Sequence, residues 1–401
     1  MSPYWNRTIL DTSAGSTVKT LTIKQAGKTE IPVAPAEEQT RIVTAIESIQ
    51  QRSARARALL TEVNTLLTNL RQSMLQAAFS GRLTADWRAK NPDVEPADQL
   101  LVRIRTERRQ RWETAELEKF KAKGKKPPKN WKDKYKEPDT KQDNGEFESE
   151  YKVNESSDWK FTSLETLVDP EKNIPYGIVK TGDPYDEGVP TVRCGDIKQF
   201  SIAIDDLKLV DPEVHEQYKR TWLEGGEVLI AIRGTVGETA VVPSSMSGMN
   251  ISREVALIPV LPGIDATFLM YLLASPQAQR LIFGQVKGVA QSGINLSDLR
   301  ILRVPVPPVN EQLEITKRIE EAMERIASVI EVTLDSNSRL EKLDQSILSK
   351  AFRGELVPQD PNDEPAAELL ARIRATREAA ETKKKTTRKK KAKKKATRKQ
   401  C

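Results

Sequence analysis

Hydrophobic residues in two stretches of this chain recur at alternating spacings of four and three. In the first, Ile42, Ile46, Ile49, Leu60, Val63, Leu67 and Leu70 fall on one seam, which passes through Ser53 and Ala56 and runs on to Met74 and Ala77. In the second, Ile315, Ile319, Ile326, Val329, Leu340, Leu343 and Ile347 hold the equivalent positions, with Ala322, Thr333 and Ser336 between them. A stripe kept up for about five heptads predicts a long helix with a narrow apolar face. At about 1.5 Å per residue, a helix of about 40 residues reaches about 60 Å. A small domain cannot cover a stripe of that length, so each helix needs another of similar length. The simplest expectation is that the two pair as an antiparallel coiled coil. Proline forbids helix ahead of each, in Ile31-Pro32-Val33-Ala34-Pro35 and Val304-Pro305-Val306-Pro307-Pro308. Gly81 and Gly354, after Phe79-Ser80 and Phe352-Arg353, suit a left-handed helix stop.

The intervening residues are patterned differently. Apolar, β-rich runs bounded by Gly and Pro occur at Val189 to Cys194, Glu227 to Ile232, Thr239 to Val242 and Val255 to Val260, followed by an apolar helical stretch from Ala266 to Phe283. Residues 159–308 therefore read as a mixed α/β domain, and the chain as α+β with two long helices.

The two helical stretches are copies of one another. Residues 2–83 align without a gap with residues 275–356, an offset of 273. From Pro32 to Leu83 roughly 20 of about 52 positions are identical, and periodicity at this level outranks local reading. A second, shorter helix follows each arm, opened by Glu95-Pro96-Ala97 and by Glu364-Pro365-Ala366 at an offset of 269. The resulting division is 1–35, matching the end of the central domain and expected to be the remnant of a first such domain; 36–105, first helical arm; 106–158, basic linker; 159–308, complete domain; 309–374, second arm; and 375–401, a Lys/Arg-rich tail expected to be disordered.

Charge sharpens this division. The net charge is +7, yet Lys383 to Lys399 alone carry 12 positive charges and no negative one, so without them the balance is −5. Arg103 to Lys136 carry 14 Lys or Arg against 5 acids. Such blocks usually stay solvated and meet polyanions without reading sequence. No apolar run of about 18 residues and no basic-then-apolar leader is present, and two distant cysteines, Cys194 and Cys401, suit a reduced, cytoplasmic protein with no membrane contact. No phosphate-binding loop or dinucleotide fingerprint is found. The single histidine, His215, lies between Glu213 and Glu216 and reads as a solvated surface residue, which argues against a His-based catalytic or metal site.

The order of these features carries a family resemblance. A globular domain, a Val-Pro-Val-Pro-Pro lead, Glu311-Gln312, a long helix, an Ala351-Phe352-Arg353-Gly354-Glu355-Leu356 closure and a Glu-Pro-Ala helix together resemble the specificity subunit of type I restriction-modification enzymes. Within the domain, Trp159, Ile174-Pro175-Tyr176-Gly177, Gly195-Asp196-Ile197, Ala231-Ile232-Arg233-Gly234 and Gln291-Ser292-Gly293-Ile294-Asn295 add to it. The resemblance implies a non-catalytic reader of double-stranded DNA whose helices dock DNA adenine methyltransferase subunits and join ATP-dependent motor and nuclease subunits. S-adenosylmethionine, ATP and Mg would sit on those partners, and no metal or catalytic residue is expected in this chain. Where the family has two recognition domains, one is complete here, which implies reading one half-site and possible pairing with a second specificity chain. Base edges are read by Arg, Lys, Asn and Gln, helped by aromatic and hydroxyl groups. The candidates are Tyr176, Lys180, Arg193, Lys198, Arg233, Thr235, Asn250 and Arg253, which lie in Gly-rich connections or at strand ends; Gln291, Ser292 and Asn295 suit capping of the next element. The alternative is a non-DNA coiled-coil scaffold with an α/β binding module and polyanion-binding tails.

Overall fold

The computed structural model describes residue 27 and residues 30–138, 146–153, 157–198, 200–284 and 293–397. In chain order, α1 (Ala36–Phe79) is followed by α2 (Ala85–Lys90), α3 (Ala97–Ala122), a short 3-10 turn at Trp131–Lys134 and α4 (Glu146–Tyr151). Then come β1 (Lys160–Ser163), β2 (Val189–Val192), β3 (Ile197–Lys198), β4 (Ser201–Ile202), β5 (Lys208–Val210), α5 (Pro212–Glu216), β6 (Val228–Ala231), β7 (Thr239–Val241), β8 (Asn250–Ile251) and β9 (Val255–Ile258). The chain ends in α6 (Ala266–Ala274), α7 (Pro276–Gly284), α8 (Leu296–Ile301), β10 (Arg303–Val306), α9 (Val309–Phe352) and α10 (Ala366–Thr397). It divides into two compact units, residues 67–326 and residues 1–66 with 327–401. The sequence expectation of an α+β chain with two long helices holds.

Within residues 67–326, the sheet β7-β6-β9 is antiparallel and central. All four residues of β6 and of β9 are buried, because both faces of this sheet are covered. On one face Val228, Ile230, Ala256 and Ile258 join a core with α6, α8, β1 and β10; on the other Leu229, Val255 and Leu257 pack with Val192, Leu223 and Ile251. That two-sided burial is why these strands read as unbroken apolar runs rather than alternating ones. The second sheet runs β5-β2-β8, with β2 antiparallel to β5 and parallel to β8. β1 pairs antiparallel with β10, Lys160 opposite Val306 and Ser163 opposite Arg303. The expected single helix at Ala266 to Phe283 is broken: Ser275 leaves helical geometry ahead of Pro276, as the residue before a proline tends to do.

The closing residues of α1 and the opening of α9 belong to this core. Leu75, Ala78 and Phe79 meet Ile315, Ile319 and Phe268, the two phenylalanine rings lying edge to face at 5.5 Å. Gly81 has φ +72°, and Arg82 N–H donates back to Ala77 carbonyl at 3.0 Å, so α1 ends in the left-handed stop expected of it. Beside it lies a buried carboxylate. Glu311 accepts from Thr84 Oγ1 at 2.7 Å and from Arg88 Nη2 at 2.7 Å. Arg318 donates to Leu83 carbonyl at 2.7 Å and to Asp86 at 2.6 Å, and this guanidinium holds Asp86 down at a pKa of about 2.

Within residues 1–66 and 327–401, α1 and α9 run antiparallel. Arg41 grips Asp363 with bonds of 3.1 and 2.5 Å, and Arg57 donates to Asp344 at 2.7 Å, so numbers rise along one strand of the pair as they fall along the other. Ser53, Thr333, Ile347 and Ala351 are buried here. Gly354 has φ +70° and Glu355 N–H donates to Lys350 carbonyl at 2.9 Å, repeating the stop of α1.

Three expectations are corrected. Leu70, Val329 and Leu343 are exposed rather than in a seam, because a straight helix drifts by about 20° per heptad and one partner covers only a narrow stripe. The basic linker expected to stay solvated is helical to Ala122 and then closes an aromatic cluster: Trp112 stacks on Trp131 at 6.0 Å and tilts against Tyr135 at 5.3 Å. The tail expected to be disordered is helical to Thr397, in keeping with the helix propensity of its Ala, Lys and Arg residues. Residues 1–26 and Cys401 lie outside the described residues, and with them the expected remnant domain.

Removing one partner of a buried ion pair leaves the other charge uncompensated, at about 3–5 kcal/mol. Arg88→Met is therefore expected to lower the unfolding free energy by about 3 kcal/mol in urea. Arg339→Ala, which removes an exposed i,i+4 pair with Asp335, is expected to change it by less than about 0.5 kcal/mol.

Candidate nucleic-acid interface

Four connections meet at one end of the central domain, tied by main-chain hydrogen bonds. Ile178 N–H donates to Ile251 carbonyl at 2.8 Å and Arg253 N–H to Ile178 carbonyl at 2.9 Å, binding the 176–180 segment to the 252–254 turn. This approach requires Gly177, since a Cβ there would lie 1.9 Å from Ile251 carbonyl oxygen. Ser252 N–H donates to Val192 carbonyl at 2.8 Å, adding the end of β2. Ile232 N–H donates to Glu254 carbonyl at 2.8 Å and Thr235 Oγ1 to Cys194 carbonyl at 2.7 Å, adding the 232–235 turn.

Most of the sequence candidates are gathered here. Tyr176 is 48% exposed, and Lys180, Lys198, Arg233, Thr235 and Arg253 are exposed as well. Among the described residues, Lys180, Lys198, Arg233 and Arg253 form no ion pair, so four cations face solvent without a carboxylate. Thr235 spends its hydroxyl hydrogen on Cys194 carbonyl but keeps acceptor capacity. Arg193 is on the same end but engaged: its guanidinium donates to both Asp196 carboxylate oxygens at 3.0 and 2.9 Å and to Asp206 carbonyl at 3.1 Å. Asn295 begins α8 and donates to Asp298 at 3.2 Å rather than capping through its side chain; Gln291 and Ser292 lie outside the described residues.

Asn250 must be removed from the reading set. It is fully buried, its carbonyl accepting from Thr221 Oγ1 at 2.7 Å and Ile251 N–H at 2.9 Å, while its amide nitrogen lies 3.1 Å from His215 Nδ1. His215 is likewise not the solvated residue its acidic neighbours suggested. It is 8% exposed and stacks parallel on Trp222 at 4.6 Å. Burial lowers its pKa, against a smaller opposing effect of Glu216.

Tyr185 and Lys208 were missed by sequence reading. Tyr185 is half exposed beside the β2–β5 pair, and Lys208 Nζ donates to Thr181 Oγ1 at 3.0 Å and Gly182 carbonyl at 2.5 Å, clamping the loop that carries them. An aromatic residue in an Asp/Gly-rich loop was the available signal. Burial pushes the Cys194 thiol pKa up, and its contact with Glu254 at 3.4 Å pushes the same way. Among the described residues, no group of three His, Cys, Asp or Glu is placed to hold a metal ion. The surface presents cations, an aromatic ring and a hydroxyl, a set suited to phosphates and base edges.

Comparison with known proteins gives this surface a context. Residues 180–332 match the family described as type I restriction modification DNA specificity domain, a span that takes in the end of β2 and the 232–235 and 252–254 turns and begins at the last residue of the 176–180 segment. The matched span is thus similar to a type I restriction modification DNA specificity domain. The chain is 29% identical over 377 residues to the EcoBI type I restriction enzyme specificity subunit of Escherichia coli, covering 92% of this chain and 69% of that one. It is 22% identical over 396 residues to the EcoKI specificity subunit of the same species, strain K12, covering 96% and 71%. A solved chain from work on complex assembly and conformational transition of the type I R-M system is similar in fold, with a TM-score of 0.55 at 19% identity, covering 88% and 69%. No helix among the described residues is long and apolar enough to cross a membrane.

The His215 environment carries a pH prediction. With a folded pKa below the unfolded value of about 6.5, the unfolded chain binds more protons near that pH, so stability is full above it and falls as pH drops below about 6.5 towards the lower folded value. The midpoint of thermal unfolding is expected to decline between pH 7.5 and 5.5. His215→Gln is expected to flatten that decline, whatever its effect at pH 7.5.

Proposed function

We propose that this chain is the DNA sequence-specificity subunit of a type I restriction-modification complex, reading double-stranded DNA through residues 159–308. The observation that carries this reading is the set Tyr176, Lys180, Lys198, Arg233 and Arg253, exposed together on connections that share main-chain hydrogen bonds. A guanidinium has the fork geometry to bond two acceptors of a guanine edge, and a lysine serves a phosphate. Arg233 and Arg253 are assigned to bases, Lys180 and Lys198 to the backbone.

In this reading the chain performs no chemistry itself. The helical arms dock the other subunits: adenine methyltransferases holding S-adenosylmethionine, and ATP- and Mg-dependent motor and nuclease subunits. Supporting this, Leu59, Leu66, Val332 and Leu334 are each more than half exposed on the arms, leaving apolar surface outside the seam.

The test compares affinity for a duplex selected by the chain with affinity for an unrelated duplex of equal length. Arg233→Ala and Arg253→Ala are each expected to cost about 1–3 kcal/mol on the selected duplex and much less on the unrelated one. Lys180→Ala is expected to weaken both alike and to reduce the salt slope by about 1. Unchanged binding to both duplexes in the two arginine variants would remove this surface as the reader.

A further inference from the structure

The lysines that follow α3 are placed unlike the arginines within it. Arg103 pairs with Glu95, Arg109 with Glu113, and Arg111 with Glu107 and Asp169. Residues 121–130 carry five lysines and no acid; all five are exposed, and among the described residues none forms an ion pair. Lys119 and Lys132, which flank this run, are paired with Glu116 and Glu113.

The fold closes the run into a loop. Gly124 has φ +62° and Lys125 N–H donates back to Phe120 carbonyl at 3.0 Å, a left-handed stop, and Pro127 and Pro128 keep the returning chain from resuming a helix. Trp131 then comes back against α3, 9% exposed, stacked on Trp112 at 6.0 Å and edge-on to Phe120 at 6.4 Å. This clamp is tied to the central domain. Arg108 donates to the Tyr135 hydroxyl at 3.1 Å and to Glu165 carbonyl at 3.2 Å, and Arg111 donates to Asp169 at 3.1 Å. Five like charges are thus held on one loop with a fixed base, where a dense anion relieves their mutual repulsion.

Residue type and position narrow the choice of anion. Lysine is a point charge without the planar fork that arginine presents to a carboxylate, so the loop suits a line of anions met for charge and not for geometry. A DNA duplex supplies one such charge per about 1.7 Å of its axis. Asp169 N–H donates to Pro259 carbonyl beyond one end of β9, and Arg253 lies beyond the other end. At about 3.3 Å per residue the two are about 20 Å apart, so the loop is rooted away from the reading turns.

We propose that residues 121–130 form a lysine loop that holds backbone phosphates of double-stranded DNA outside the bases being read. The inference rests on the specificity reading for the choice of DNA as the polyanion, and it adds a contact that carries affinity without sequence preference.

The test uses the full chain with Lys121→Gln, Lys123→Gln, Lys125→Gln, Lys126→Gln and Lys129→Gln combined, surface changes that leave folding alone. Affinity for the duplex selected by the chain and for an unrelated duplex of equal length is followed against salt concentration on logarithmic axes. The slope is expected to fall by at least about 2 on both, since each phosphate neutralised contributes about 0.9. The ratio of the two affinities is expected to stay as it is, because phosphate contacts carry no sequence information. Trp131→Ala, which keeps every lysine but opens the clamp, is expected to weaken both duplexes severalfold. An unchanged slope in the five-lysine variant overturns the proposal and leaves the loop to a protein partner. A changed sequence preference overturns it too, since the loop would then touch bases, and full affinity in Trp131→Ala would reduce the loop to solvated charge. Failure of the specificity reading looks different: the unmodified chain binds both duplexes alike, while the drop in slope remains.

Discussion

A helix of 44 residues with a narrow apolar stripe cannot cover itself, and the rest of the structure follows from how that stripe is covered. Such a rod is about 66 Å long, beyond the reach of any small domain. Each of the two described units meets the requirement by its own means. In residues 67–326 the ends of the rods are built into the core of a globular domain, with Phe79, Ile315 and Ile319 buried outright and Glu311 held by Thr84 and Arg88. In the other unit the rods lie antiparallel, Arg57 pairing with Asp344 across them and Arg41 holding Asp363 in the segment that follows α9. In the proposed reading, a firm base under residues 159–308 is the functional return, because side chains that read bases must be held in place by something stiffer than a loop.

The elements legible in the sequence are those whose signal is local. Proline and glycine have backbone meanings that do not depend on the rest of the fold, so the leads into α1 and α9 and the stops at Gly81 and Gly354 stand where the residues place them. β6 and β9 announce themselves as apolar runs because both faces are buried. β3, β4 and β8 are two residues long and owe their existence to pairing partners, which no periodicity encodes. The helical course of the linker depends on Trp112 finding Trp131 and Tyr135 after the chain reverses. Charge in that segment pointed to solvation, and tertiary contact between aromatics decided otherwise.

The same distinction runs through the recognition surface. Arg233 and Arg253 are exposed because their turns are, and the glycines nearby advertised those turns. Asn250 and His215 are polar residues that the fold uses internally, each satisfying the other inside a wall built with Thr221 and Trp222. Side-chain polarity alone could not separate these two fates, since it says that a partner is needed but not whether that partner is protein or DNA. Arg193 was the more readable case: an aspartate three residues on, at Asp196, was positioned to engage it.

The central claim is that one end of one domain reads DNA sequence. Its most direct test is selection of duplexes from a random pool by the full chain, with sequencing of the bound fraction at moderate salt. The account predicts a short enriched consensus that the Arg233→Ala, Arg253→Ala double variant loses or changes, while residual binding persists. A pool that emerges without enrichment, or a consensus identical in the double variant, would contradict it.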